Sequence, residues 1–150
     1  MRALHAGAGA IAWLTILAFW TGTVAVELLG TPSAIATVKT AILWGLALLI
    51  PALATTGLSG HRLAAGRTDR WSLTKVRRLQ FAALNGVLIL VPAAVFLAWK
   101  AQAGALDATF YAVQAVELVA GAANLTLLGL NARDGWRRRR PLPIRARAWP

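Results

Sequence analysis

The chain has no cysteine, one methionine, one tyrosine and five acidic residues among 150. Without cysteine there is no disulfide, no thiol nucleophile and no Cys-ligated metal or iron–sulfur site. With Met1 as the lone methionine, a thioether copper site is excluded as well. Several motifs that carry catalysis are also missing: a glycine-rich phosphate loop, a nucleophile elbow, an HExxH pair and paired acid–base carboxylates at a common site. Ser59 stands near His61, but no third group orients that pair for nucleophilic attack. The chain is therefore read as non-enzymatic, with no metal site. Charged residues make up 14% of it, against about 25% in a soluble domain.

What is abundant is apolar sequence. Four stretches, roughly 8–29, 35–58, 79–99 and 108–130, each approach the ~20 residues an α-helix needs to cross a bilayer. The net charge of +11 is distributed very unevenly around them. Every Lys and Arg except Lys39 and Lys100 lies at Arg2, in the 62–78 connection, or from Arg133 onward. The positive-inside rule then places both termini and the middle connection in the cytoplasm. The expected fold is an all-α membrane protein, a four-transmembrane-helix bundle built from two antiparallel hairpins. Residues 1–135 form the membrane domain and 136–150 a basic cytoplasmic tail.

The first apolar run exceeds the 7–15 residues of a signal-peptide core, so that span is expected to be retained. Because the positive charge flanks membrane spans, its partner is expected to be a bilayer with anionic headgroups, not nucleic acid. Arg62, Arg67, Arg70, Lys75, Arg77, Arg78, Arg137, Arg138, Arg139 and Arg140 are the expected headgroup contacts.

The connections are short where the helices must turn back. Gly30-Thr31-Pro32-Ser33 reads as a helix C-cap glycine, a proline and a serine cap. Gly104 marks a second turn within Ala101–Asp107. The longer middle connection ends in Trp71–Arg78, which can begin the third helix, with Trp71 at headgroup level. Pro51 and Pro92 each remove a backbone donor and should kink their helices. Gly135 is expected to end the last helix soon after Asn131, with Asp134 pairing to Arg133 or to arginines of the middle connection. Ala41/Gly45, Gly121 and Gly129 mark faces where backbones can approach closely, within the chain or in a homodimer or larger membrane complex.

Polar residues inside the spans carry most of the functional information, because each needs a partner or a role. Glu27, Lys39, Gln114 and Glu117 lie toward the same membrane face and form one expected cluster. A Glu27–Lys39 pair would pin the first hairpin. Lys39 is also the one intramembrane cation that can meet Glu117, and Gln114 shares a helix face with Glu117. Asn85 and Asn124, toward the other face, are placed to bond each other. His5 and His61 lie near one membrane level at the cytoplasmic ends of the first hairpin, a geometry in which two imidazoles can ligate a haem iron.

Several strings carry a resemblance: Thr56-Gly57-Leu58-Ser59-Gly60, Lys75-Val76-Arg77-Arg78, Ala83-Leu84-Asn85-Gly86, and Glu117-Leu118-Val119-Ala120-Gly121-Ala122-Ala123-Asn124-Leu125, closing on Gly129-Leu130-Asn131-Ala132-Arg133-Asp134-Gly135. Over roughly His5 to Gly135 the chain resembles a family of small bacterial four-helix membrane proteins of uncharacterised activity. That resemblance implies the bacterial inner (cytoplasmic) membrane. In size the chain also resembles small multidrug transporters, whose first-span glutamate would correspond to Glu27, although Glu27 lies near its helix end. Three functions are expected in order: an accessory or interaction subunit, a small ion-coupled transporter using Glu117, and a haem-bearing electron carrier using His5 and His61.

Overall fold

The structure, a computed structural model, describes residues 1–64 and 70–137. Every regular element among the described residues is helical: α1 Arg2–Leu29, α2 Pro32–Ala64, α3 Arg70–Asn85, a π-helical turn Gly86–Leu90, α4 Val91–Gln102 and α5 Ala108–Arg137. Among the described residues four continuous rods are long and apolar enough to cross a membrane: Ala3–Leu29, Pro32–Leu63, Ser72–Gln102 and Ala108–Arg137. They outlast the apolar stretches because the helices continue into the basic flanks. At 1.5 Å per residue the 28 residues of α1 reach about 42 Å, beyond a hydrocarbon core of about 30 Å.

The two tight turns use different chemistry. Gly30 is extended (φ −94°, ψ 175°), and its N–H bonds the Val26 carbonyl at 2.9 Å. Thr31, not Ser33, caps α2: its Oγ1 accepts the Ala34 N–H at 3.3 Å and lies 2.9 Å from Ser33 Oγ. Pro32 takes the first helical position, where a missing N–H costs nothing. At the other turn Gly104 adopts φ +68°, which only glycine enters without strain. The Ala105 N–H reaches the Lys100 carbonyl and the Gly104 N–H reaches that of Ala101, a Schellman ending. Asp107 Oδ1 then caps α5 by accepting the Phe110 N–H at 3.0 Å.

Pro92 does not sharply break the third rod. It follows the widened turn Gly86–Leu90, in which the Val91 N–H bonds the Gly86 carbonyl. A proline ring in a straight helix presses on the carbonyl four residues earlier, and a π-turn relieves that crowding. At the far end, Gly135 does not stop α5, which runs on to Arg137. Arg78 Nη1 bonds Asp134 Oδ2 at 2.8 Å, and Asn131 Nδ2 bonds the Lys75 carbonyl at 3.1 Å. These contacts tie the last turns of α5 to α3 and supply a reason for the helix to persist. Arg133 Nε also approaches Asp134 Oδ1, at 3.7 Å.

Glycines serve as landing sites for aromatic rings. A Cβ built on Gly45 would run into Phe19 Cζ; one on Gly121 would lie 3.2 Å from Trp20 Cδ1, and one on Gly129 3.4 Å from Trp13 Nε1. The indole N–H of Trp13 reaches the Leu125 carbonyl at 3.1 Å, and that of Trp20 reaches Leu118 at 3.0 Å. Seven residues separate the donors and seven the acceptors, so α1 and α5 run in opposite directions in fixed register. The small-residue faces at these positions are therefore occupied within the chain by rings of α1.

Among the described residues two apolar clusters fill the interior. One gathers Ala12, Ile16, Leu49, Ala52, Ala82 and Leu128; the other, nearer Gly30 and Gly104, gathers Ile35, Leu97, Ala101 and Phe110.

Candidate functional site: a buried polar cluster

Between those apolar clusters sits Lys39, which has no exposed surface. Its Nζ lies 2.5 Å from Glu117 Oε2 and 3.5 Å from Thr23 Oγ1. Helix α2 projects the ammonium inward, α5 supplies the carboxylate, and α1 supplies the hydroxyl. Gln114, three residues before Glu117 on α5, donates its Nε2 to the same Glu117 oxygen at 3.1 Å. One carboxylate oxygen thus accepts from a cation and an amide. An unpaired charge at membrane depth costs several kcal/mol, so this mutual neutralisation is what makes the placement tenable.

Glu27 departs from expectation. Lys39 turns to Glu117 instead, and Glu27 does not reach it as an ion pair. Helix depth brings the two residues to one level, but azimuth decides the partner, and α5 occupies the side Lys39 faces. Glu27 remains within electrostatic reach of both Lys39 and Glu117. Its Oε1 is buried without a hydrogen-bond partner, as is Gln114 Oε1. Thr23, 2% exposed, belongs to the cluster but was not singled out in the sequence. Its position four residues before Glu27 was the available signal.

A cavity of about 60 Å³ adjoins the cluster, walled by apolar side chains including Ile16, Phe19, Leu46 and Leu49 and reaching Glu117. That is room for a few water molecules, far below the roughly 300–1,000 Å³ of a small-molecule site.

Toward the opposite end, Asn85 Nδ2 donates to Asn124 Oδ1 at 2.8 Å and to the Ala120 carbonyl at 2.9 Å. Asn124 Nδ2 returns a bond to the Ala82 carbonyl at 3.1 Å. The exchange of side-chain and backbone bonds clamps α3 to α5, and Asn124 is 1% exposed.

The histidines do not face one another. His5 Nδ1 lies 3.0 Å from Ser59 Oγ and 3.1 Å from the Thr56 carbonyl, and a Cβ on Gly60 would lie 3.1 Å from its Cε1. His61 is exposed and lies about 100° further round α2 than Gly60, turned from the face that holds His5. Sharing a membrane level does not bring the two rings onto one iron. Among the described residues no group of three or more His, Cys, Asp or Glu is placed to hold a metal.

Of the basic residues, Arg62, Arg70, Arg77 and Arg137 are exposed, whereas Arg78 is drawn onto Asp134 and Lys75 is half-buried. Arg67, Arg138, Arg139 and Arg140 lie outside the described residues, as does the side chain of Trp71.

No protein-family model, curated protein or solved structure matches the chain.

Proposed function

We propose that the chain is a non-enzymatic, multi-pass protein of the bacterial inner membrane, acting as an accessory or interaction subunit within a homodimer or larger membrane complex. In this reading it forms two antiparallel hairpins with both termini in the cytoplasm, as the one-sided positive charge implies. The observation that carries the reading is the small size of the cavity beside the buried pair, about 60 Å³, well below that of a small-molecule site. The outer faces, by contrast, present large side chains such as Trp44, Phe81, Trp99 and Val119. These can meet lipid or another membrane helix. Extraction in mild detergent followed by native electrophoresis and affinity capture tests it. A reproducible complex larger than one chain supports the reading, and a lone monomer at every detergent concentration overturns it.

A second reading, a small ion-coupled carrier centred on Glu117, is favoured by one observation: a fully buried Lys39 held on that carboxylate at membrane depth. Intramembrane ionisable pairs often line ion or proton routes. Proton-coupled flux in proteoliposomes that is unchanged by Glu117→Gln would overturn it. No haem role is proposed, because His5 and His61 occupy different faces.

A further inference from the structure

At the basic end of the bundle, cations from two helices gather around one carboxylate. Asp134 on α5 is buried, and its Oδ2 accepts from Arg78 Nη1 on α3 at 2.8 Å. Its Oδ1 is approached by Arg133 Nε at 3.7 Å. Lys75 Nζ, also from α3, stands 3.8 Å from where a Cβ on Gly135 would lie. Arg137 follows Arg133 by four residues, so the two are neighbours on one face of α5. Among the described residues Asp134 is the one acidic side chain at this end. Four cations thus surround a single negative charge that is already committed to Arg78. Arginine stays protonated throughout the physiological pH range, so the positive excess is permanent.

We propose that Arg133 and Arg137 hold the phosphate of one anionic phospholipid on this corner of the bundle, with Trp136 beside it at the edge of the acyl chains. Arg133 meets Asp134 through its Nε edge, which leaves its two Nη groups as a fork for phosphate oxygens. Arg133 and Arg137 are both exposed, so a headgroup can reach them. Depth favours a lipid over a soluble anion. At 1.5 Å per residue Arg133 stands about 38 Å along α5 from Ala108, beyond a hydrocarbon core of about 30 Å and within the roughly 40–45 Å that includes the headgroups. Trp136, exposed and three residues after Arg133, sets an indole at that level, where amphipathic rings favour the interface. Charge patterning alone offers Arg78 to the headgroups; the structure gives Arg78 to Asp134 and leaves Arg133 to make that contact. Asp134 is then a positioning residue, fixed by Arg78 and orienting Arg133. The inference goes beyond both functional readings, since it holds whether the chain is a subunit or a carrier.

Native mass spectrometry of the full chain in detergent, titrated with phosphatidylglycerol or with phosphatidylcholine, tests it. One phosphatidylglycerol per chain is expected to bind ahead of any phosphatidylcholine. Arg133→Gln and Arg137→Gln are each expected to weaken that binding about tenfold or more, the loss of a hydrogen bond to a charged group. Arg62→Gln, which removes another exposed arginine at the end of α2, is expected to leave it unchanged. Equal binding of the two lipids overturns the proposal. An equal loss in Arg62→Gln also overturns it, because the lipid then follows bulk charge. So does inorganic phosphate that displaces the lipid at equal concentration, since the ligand is then the free anion. Should Arg133→Gln fail to fold, Arg137→Gln, in the last turn of α5, decides alone.

Discussion

Lys39 and Glu117 form a pair whose two halves should be costly to remove singly and cheap to remove together. Glu117→Leu strips the ammonium of its carboxylate and leaves Thr23 Oγ1 at 3.5 Å as the remaining contact for a side chain with no exposed surface. Removing one partner of a buried pair costs about 3–5 kcal/mol, and the complete burial of Lys39 places this variant near 4 kcal/mol. Lys39→Met leaves Glu117 with the Gln114 amide at 3.1 Å and a side chain that is 12% exposed, so about 3 kcal/mol is expected. The double variant replaces both charges with apolar groups of similar length and should fall within about 1 kcal/mol of the wild type. A double-mutant cycle by reversible unfolding in mixed micelles measures the difference. The single variants together exceed the double by several kcal/mol, more than two decades in the folding equilibrium. Single costs below about 1 kcal/mol, or a double cost equal to their sum, would refute the claim that the two charges sustain each other.

Three further outcomes follow from the packing and the caps. Gly45→Ala sets a methyl against the Phe19 ring and should cost about 1–3 kcal/mol, read by the same unfolding assay; Phe19→Leu in that background should recover part of it. Asn124→Leu removes the returned bond to Ala82 and orphans an Asn85 donor, for about 1 kcal/mol, since membrane side-chain bonds average near 0.6 and reach about 1.7. Asp107 is held below the usual aspartate range by the Lys100 ammonium first and the Phe110 N–H second. A depressed carboxyl contributes stability that is present above its unfolded value and lost as pH falls through its folded one. A midpoint-versus-pH curve should therefore drop on strong acidification in the wild type, and this component of the drop should be missing in Asp107→Asn.

Depth along the membrane was legible in the sequence, because a helix rises a fixed distance per residue and the spans can be counted from their ends. That is why Lys39 with Glu117, and Asn85 with Asn124, are found at matching levels. Rotation about each helix axis was not legible to the same degree. Depth alone sets Glu27 against Lys39, and His5 against His61, and in both cases azimuth decides otherwise: Lys39 faces α5, and His5 faces Thr56 and Ser59. Small residues in a membrane span suggest sites of backbone contact, whereas here Phe19, Trp20 and Trp13 fill the space the glycines leave. Composition alone does not say which ring will reach a given glycine, because the register between α1 and its neighbours emerges only from the whole packing. The continuation of α5 through Gly135 has the same origin, resting on long-range contacts at Asn131 and Asp134 that no local signal encodes.

The π-turn at Gly86–Leu90 has a consequence for how the third rod meets its neighbours. Each α-helical residue advances about 100° around the axis, so one residue accommodated in a wider turn rotates everything beyond it by nearly that amount. Ala82, before the turn, and Ala93, Ala94, Leu97, Ala98 and Ala101, after it, are all buried. In an uninterrupted helix the second group would be centred about a quarter-turn away from the first. The widened turn therefore acts as a phase corrector, letting two half-helices of different phase serve one interior. Deleting a single residue there would swing the Leu97 face toward lipid while leaving the length, hydropathy and charge pattern of the span almost unchanged.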